Sequence, residues 1–245
     1  MTLEYLLQNI YAPYQLPAFT SFSINAQSTL IQVGTTLSGV KNFLWSTSNS
    51  GNVQPNSIAI RDVNANTLIA SALANDGSEN VDIGVINNTS PISQSWRAEG
   101  MNTQSGSFVS ANFTVNSIYP VFYGKVASGG APSGGNRPVA NQALIDSGTV
   151  AVVNSNGTIT ISFNTTSDDY MWFAVPSTSP VKTQWYVDPL NNGSIGGAVT
   201  PAGNLFPDPD TVVIDSPTVL WSGVSYKIYI ANYQSGIVVP MELRN

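Results

Sequence analysis

From residue 18 onward, apolar and polar positions alternate in short runs broken by turn residues. Phe19–Asn25 alternates at period two, the signature of a strand with one face buried. Phe43–Ser48, Ser57–Arg61, Val81–Ile86, Ser93–Arg97 and Phe108–Val115 read as further strands. Between them lie Asn49-Ser-Gly51, Asn75-Asp-Gly77 and Asn87-Asn88, residue types that accept positive φ or cap their own backbone. About seven short strands in about 100 residues predicts an immunoglobulin-like β-sandwich over residues 18–117. Trp45 and Trp96 are its expected core aromatics.

A second all-β module is expected over residues 118–245, a sandwich or a jelly-roll-like module. Tyr119–Gly124 is a compact aromatic strand, and Ala127–Pro138 is a Gly/Ser/Pro stretch read as a loop. Strands resume at Thr149–Val153 and Thr158–Phe163, joined by Asn154-Ser-Asn-Gly157, the strongest hairpin signal of the chain. Tyr170–Pro176, Lys182–Val187, Thr211–Asp215, Val224–Ala231 and Gly236–Leu243 follow. The pattern offers no helix in this half. Leu190–Pro209 reads as a long polar insertion with few strand formers.

Residues 1–17 have a different period. Leu3, Leu6, Leu7 and Ile10 fit one or two turns of amphipathic helix, which Pro13 and Pro17 end. So short a helix cannot bury its apolar face alone. These four residues are therefore read as a docking arm for a partner, against the alternative that the arm folds back on its own domain.

Composition narrows the chemistry. The chain of 245 residues has no His and no Cys. Disulfides, thiol nucleophiles, imidazole acid–base catalysis and conventional zinc sites are excluded. Hydrophobic residues make up 42%, enough for cores, while charged residues make up 9%, well below ordinary usage. The eight basic residues are scattered and the net charge is −6, so neither a nucleic-acid partner nor an anionic lipid surface is expected. No apolar run is long enough to span a membrane as a helix. The opening segment lacks a basic n-region and carries Glu4, so no signal peptide is expected.

Several segments carry a resemblance. Pro17-Ala-Phe-Thr-Ser-Phe-Ser-Ile24, Gln32-Val-Gly-Thr-Thr36, Phe43-Leu-Trp-Ser-Thr-Ser-Asn49 and Pro55-Asn-Ser-Ile-Ala-Ile60 resemble the amino-terminal sandwich domain of tailed-bacteriophage virion proteins. In that family a VGTT-like turn and a TWSTSN-like strand recur, and an aromatic-Tyr-Gly element, here Val121-Phe-Tyr-Gly124, closes the domain. Tyr170–Pro176 and Tyr226–Asn232 resemble the carboxy-terminal half of such proteins. The resemblance implies a non-enzymatic structural part of a virion, assembled in the host cytoplasm. The expected place is the tail: baseplate, fibre or adaptor. Its partners would be other virion proteins and copies of itself, without cofactor. A capsid decoration or cement protein is the alternative position. Recognition of a host-surface glycan during attachment, through the second module, is the alternative function.

The candidate site residues follow from that choice. Asp168–Asp169 and Asp208/Asp210 are the best carboxylate pairs for glycoside hydrolysis, yet turn capping accounts for such aspartates, and no catalytic residue is assigned. Asn75–Asp82 spaces oxygen ligands alternately, but lacks the glycine and closing carboxylate of an EF-hand, and no metal is assigned. Trp172, Trp185, Tyr186, Trp221, Tyr229 and Tyr233 are the aromatics able to stack on a sugar, or to form a core or interface.

Overall fold

The computed structural model describes residues 14–127, 138–154, 158–163, 169–179, 183–188, 191–195, 205–206, 208–231 and 240–244. Leu3, Leu6, Leu7, Ile10 and Tyr233 lie outside them. The protein is all-β and divides into two units. The first runs to Ile31 and resumes over Thr35–Ser117; the second comprises Gln32–Gly34 and the chain from Ile118 on.

The first unit contains β1 (Ala18–Ile24), β2 (Leu30–Gln32), β3 (Leu37–Ser48), β4 (Ile58–Asp62), β5 (Thr67–Leu73), β6 (Gly77–Ile86), β7 (Ser93–Met101), β8 (Ser107–Val109) and β9 (Phe113–Ile118). Strands β1-β3-β6 form one antiparallel sheet, and β2-β9-β7-β4-β5, with β8 on β7, the other. Alternation sends Ile24, Phe43, Trp45 and Val81 of the first sheet into one core with Ile58, Ile60, Trp96 and Val115 of the second. Phe43 meets Trp96 edge-on, ring centres 6.2 Å apart, and both are fully buried.

Three departures from the sequence pattern occur here. The single run Phe108–Val115 is two strands, β8 and β9. Strands β2 and β5 were not foreseen. β5 (Thr-Leu-Ile-Ala-Ser-Ala-Leu) is almost continuously apolar, and two register shifts against β4 break its period, one beside Ala72 at φ +59°.

The second unit contains β10 (Phe122–Ala127), α1 (Gln142–Asp146), β11 (Thr149–Val150), β12 (Val152–Val153), β13 (Ile159–Ser162), β14 (Asp169–Pro176), β15 (Gln184–Asp188), β16 (Asn191–Ser194), β17 (Asp210–Ile214), β18 (Val224–Ile230) and β19 (Pro240–Arg244). One sheet has the order β11-β10-β14-β18-β17, the other β12-β13-β19-β15-β16. Buried Ala151 carries the chain from the first sheet to the second. Between them pack Met171, Phe173, Tyr229, Ile161, Met241 and Leu243, with the Phe173 and Tyr229 rings stacked at 4.6 Å.

At the centre of the first of these sheets, β14 is covered on both faces and buried at every position. A strand covered on both sides needs no alternation, which is why Tyr170–Pro176 reads as an unbroken apolar run. Its second face is covered by α1 and by Trp221. The helix is a correction to the sequence reading. Five residues make little more than one turn, too few for a helical period to register. Asn141 caps it, accepting from the Leu144 N–H at 2.9 Å, and it buries Leu144 and Ile145.

β16 is a second correction, because Asn-Asn-Gly-Ser falls inside the stretch expected to lack strands. Its pairing partner explains it. Gly193 lies opposite Trp185, and a Cβ there would stand 2.7 Å from the indole nitrogen. The same device recurs at Gly124 opposite Trp172, where a Cβ would stand 2.8 Å from the ring. In both, the indole covers a cross-strand glycine and supplies the apolar contact the glycine lacks. Trp45 likewise lies opposite Gly77.

Tyr226 anchors the second unit's outer layer. Fully buried, it stacks on Trp221 with ring centres 5.8 Å apart, and its hydroxyl donates to the Pro120 carbonyl at 2.7 Å. Burial, with a smaller push from Tyr119, raises its pKa far above the phenol range. The unfolded chain ionises this phenol above about pH 10 while the folded chain holds its proton. The contribution is therefore complete below about pH 10 and declines above it. Tyr226→Phe is expected to cost about 1–3 kcal/mol, since it orphans a buried carbonyl, and to weaken the alkaline decline. Chemical denaturation of both proteins at neutral and alkaline pH measures both effects.

Candidate interaction surface

The aromatic candidates resolve by position. Trp172, Trp221 and Tyr229 are core residues, 0, 8 and 3% exposed, so their faces cannot stack on a sugar. Of the two roles open to these aromatics, the core is the one they take. Tyr226 and Ile228 do share one face and Tyr229 the other, but both faces are covered. Trp185 is half-buried against the inter-sheet core and over Gly193. Tyr186 points outward from β15, but the Arg244 guanidinium lies 4.0 Å above its ring. That guanidinium is in turn held by Glu242.

Several of the carboxylates have structural partners. Asp168 is outside the described residues. Asp169 is not in a turn; it opens β14, its side chain 7% exposed and paired with Lys125 Nζ at 3.1 Å. Asp208 and Asp210 are exposed, and Asp208 stands near enough to Tyr229 to add to the burial that raises that phenol's pKa. In the calcium-like stretch, Asp76 accepts from the Thr47 N–H and hydroxyl, Asn75 donates to the Ser50 carbonyl, and Asp82 accepts from the Gly84 N–H. Asp76 and Asp82 are thus engaged with different backbone segments. Among the described residues no three carboxylates gather into a metal site.

What remains chemically distinctive is the outer face of the six-stranded sheet in the first unit. Ile60, Trp96 and Ala98 point inward, so Ala59, Arg61, Arg97 and Glu99 point outward. Arg61 lies directly opposite Arg97, a like-charge pair that is unfavourable alone. Glu99 relieves it. Its Oε1 accepts from Arg61 Nε at 2.8 Å and from Arg97 Nε and Nη2 at 2.9 and 2.7 Å. Arg61 Nη1 also donates to Asn66. The network holds two guanidinia with one carboxylate, a net charge of +1 on a chain of net −6. Exposed apolar residues surround it: Leu68 opposite Arg61 at 51%, Val109 opposite Glu99 at 54%, and Met101 at 40%.

Glu99 is set by two opposing effects. Burial favours its neutral form, but hydrogen bonds and charge from Arg61 and Arg97 outweigh that and hold its pKa below the usual value. A depressed carboxylate contributes stability at pH above about 4.3, and that contribution is lost as pH falls through the lower folded value. Glu99→Gln is expected to cost the first unit about 1–2 kcal/mol at neutral pH and to flatten its acid dependence. Denaturant midpoints between pH 7 and pH 3 measure it.

The three-stranded sheet has a different outer face. Phe43 and Val81 point inward, so Val40 and Asp82, which pair, point outward. Val85 also faces out, paired with Ser38, past a register shift where Gly39 and Gly84 both hold φ near +70°. Val40 and Val85 are 65 and 70% exposed. Leu44, half-buried between Ser23 and Ser78, also faces out, and Asn42 is hydrogen-bonded to Asn80.

Sequence reasoning missed both faces. The pairing of Arg61 with Arg97 needs the β4–β7 register, which no local pattern prints. Comparison with known proteins adds no relative: no family model matches the chain, nor does any curated protein or solved structure.

Proposed function

We propose that this chain is a non-enzymatic structural subunit of a tailed-phage virion, placed in the tail and acting through repeated subunit contacts. The observation that carries the proposal is where the side chains are used. Of the aromatic candidates described, three are spent in cores, one lies against a core and one lies beneath an arginine, whereas apolar residues and a clasped arginine pair stand on outer sheet faces. Surfaces of that composition suit protein contacts, where Arg and Met are enriched.

The resemblance supports the same reading, with the first unit taken as immunoglobulin-like. The matching residues are those that make the sandwiches: Phe43 and Trp45 in one core, and Gly124 beneath Trp172 in the other. The glycan-recognition alternative has weaker support, since three of the five candidate rings described are buried in cores and Tyr186 carries Arg244 over one face.

Electron microscopy of particles carrying a gold label at the carboxy terminus of this chain tests the proposal. Label on the tail supports it. Label on the head surface would move the chain to the decoration role. Particles without label, from cells that make the tagged chain, would overturn it.

A further inference from the structure

We propose that copies of this chain join head-to-tail through the two outer faces of the first unit, with Asp82 of one copy entering between Arg61 and Arg97 of the next. This rests on the subunit reading and adds the surface and the partner to it.

The two faces are complementary in charge and character. One presents Arg61 and Arg97 with a single shared carboxylate, among exposed Leu68, Met101 and Val109. Arg61 Nη2 and Arg97 Nη1 have no acceptor among the described residues, so each retains donors for a second carboxylate. The other face presents Asp82 opposite exposed Val40, with exposed Val85 further along the same strand, and among the described residues only one Asp82 oxygen is engaged, by Gly84. The arginine face is preorganised, because Glu99 and Asn66 already fix the guanidinia, which lowers the ordering cost of docking. Copies of net charge −6 repel in general, so a locally positive face is where an acidic face of another copy can approach. The two surfaces are different, so the contact is heterologous and generates a ring or a filament rather than a closed pair.

The test uses the full chain with two charge reversals, Arg97→Glu and Asp82→Arg. Wild type is expected to self-associate in sedimentation velocity at low ionic strength and high concentration, and to dissociate as salt rises. Each variant alone is expected to associate about tenfold more weakly or worse. An equimolar mixture should recover association, because each variant's altered face then meets an opposite charge on the other. Leu68→Asp, an exposed position outside the arginine network, should also weaken association, and circular dichroism checks that every variant is folded. Monomeric wild type, or a mixture no better than its components, overturns the proposal. Wild-type association that ignores all three variants also overturns it, yet leaves the subunit reading standing; absence of label from particles sinks that reading separately.

Discussion

Trp172→Ala is expected to destabilise the second unit by about 3–5 kcal/mol, the range for removing a fully buried indole. Three features place it there. The ring is 0% exposed and sits on β14, the central strand of its sheet, which is buried on both faces. It packs on two glycines: a Cβ at Gly124 would come 2.8 Å from the ring, and one at Gly148 only 2.5 Å. Truncation therefore leaves a hole whose glycine-lined side has no side chain to move into it. Gly148→Ala probes the same contact from the other side and is expected to cost about 1–3 kcal/mol through overpacking, since the Ile145 carbonyl also crowds that position. Hydrogen exchange read by peptide assigns either loss to the second unit, in β10, β14 and β18. Because a domain of this kind holds a margin of about 5–15 kcal/mol, Trp172→Ala should leave it near the limit of stability.

Trp96→Ala should do comparable damage to the first unit, again about 3–5 kcal/mol. Trp96 lies on β7, between β4 and β9 and directly beneath the other sheet, where Phe43 meets it edge-on. Its indole N–H is buried with no hydrogen-bond partner among the described residues, so Trp96→Phe removes an uncompensated polar group along with some volume. The phenylalanine variant is therefore expected to lose less than half of what alanine loses. Equilibrium denaturation of the two variants gives the ratio, and equal losses would show that ring volume is not what the site uses.

The two tryptophans also show what the sequence could reveal. Trp45 and Trp96 fall on strands whose period-two pattern points them inward, and both are core residues. Trp172 falls in an apolar run with no alternation, where periodicity cannot distinguish a strand covered on both faces from one with an outward aromatic. The cover is α1 and the segment around Trp221, and a five-residue helix leaves no period to read. β5 and β16 were hidden for a related reason. One has its alternation broken by bulges, and the other holds a glycine that makes sense only beneath Trp185. The interaction surface was hidden more deeply. Arg61, Arg97 and Asp82 look like isolated charges along the chain, and only strand register brings the two arginines onto one carboxylate and sets Asp82 opposite the exposed Val40.

Counting copies tests the central claim most directly. Quantitative mass spectrometry of gradient-purified particles, using labelled peptides from both units, is predicted to find the chain in a fixed, multiple copy number per particle. Its absence from particles, or a variable trace level, would contradict a structural role.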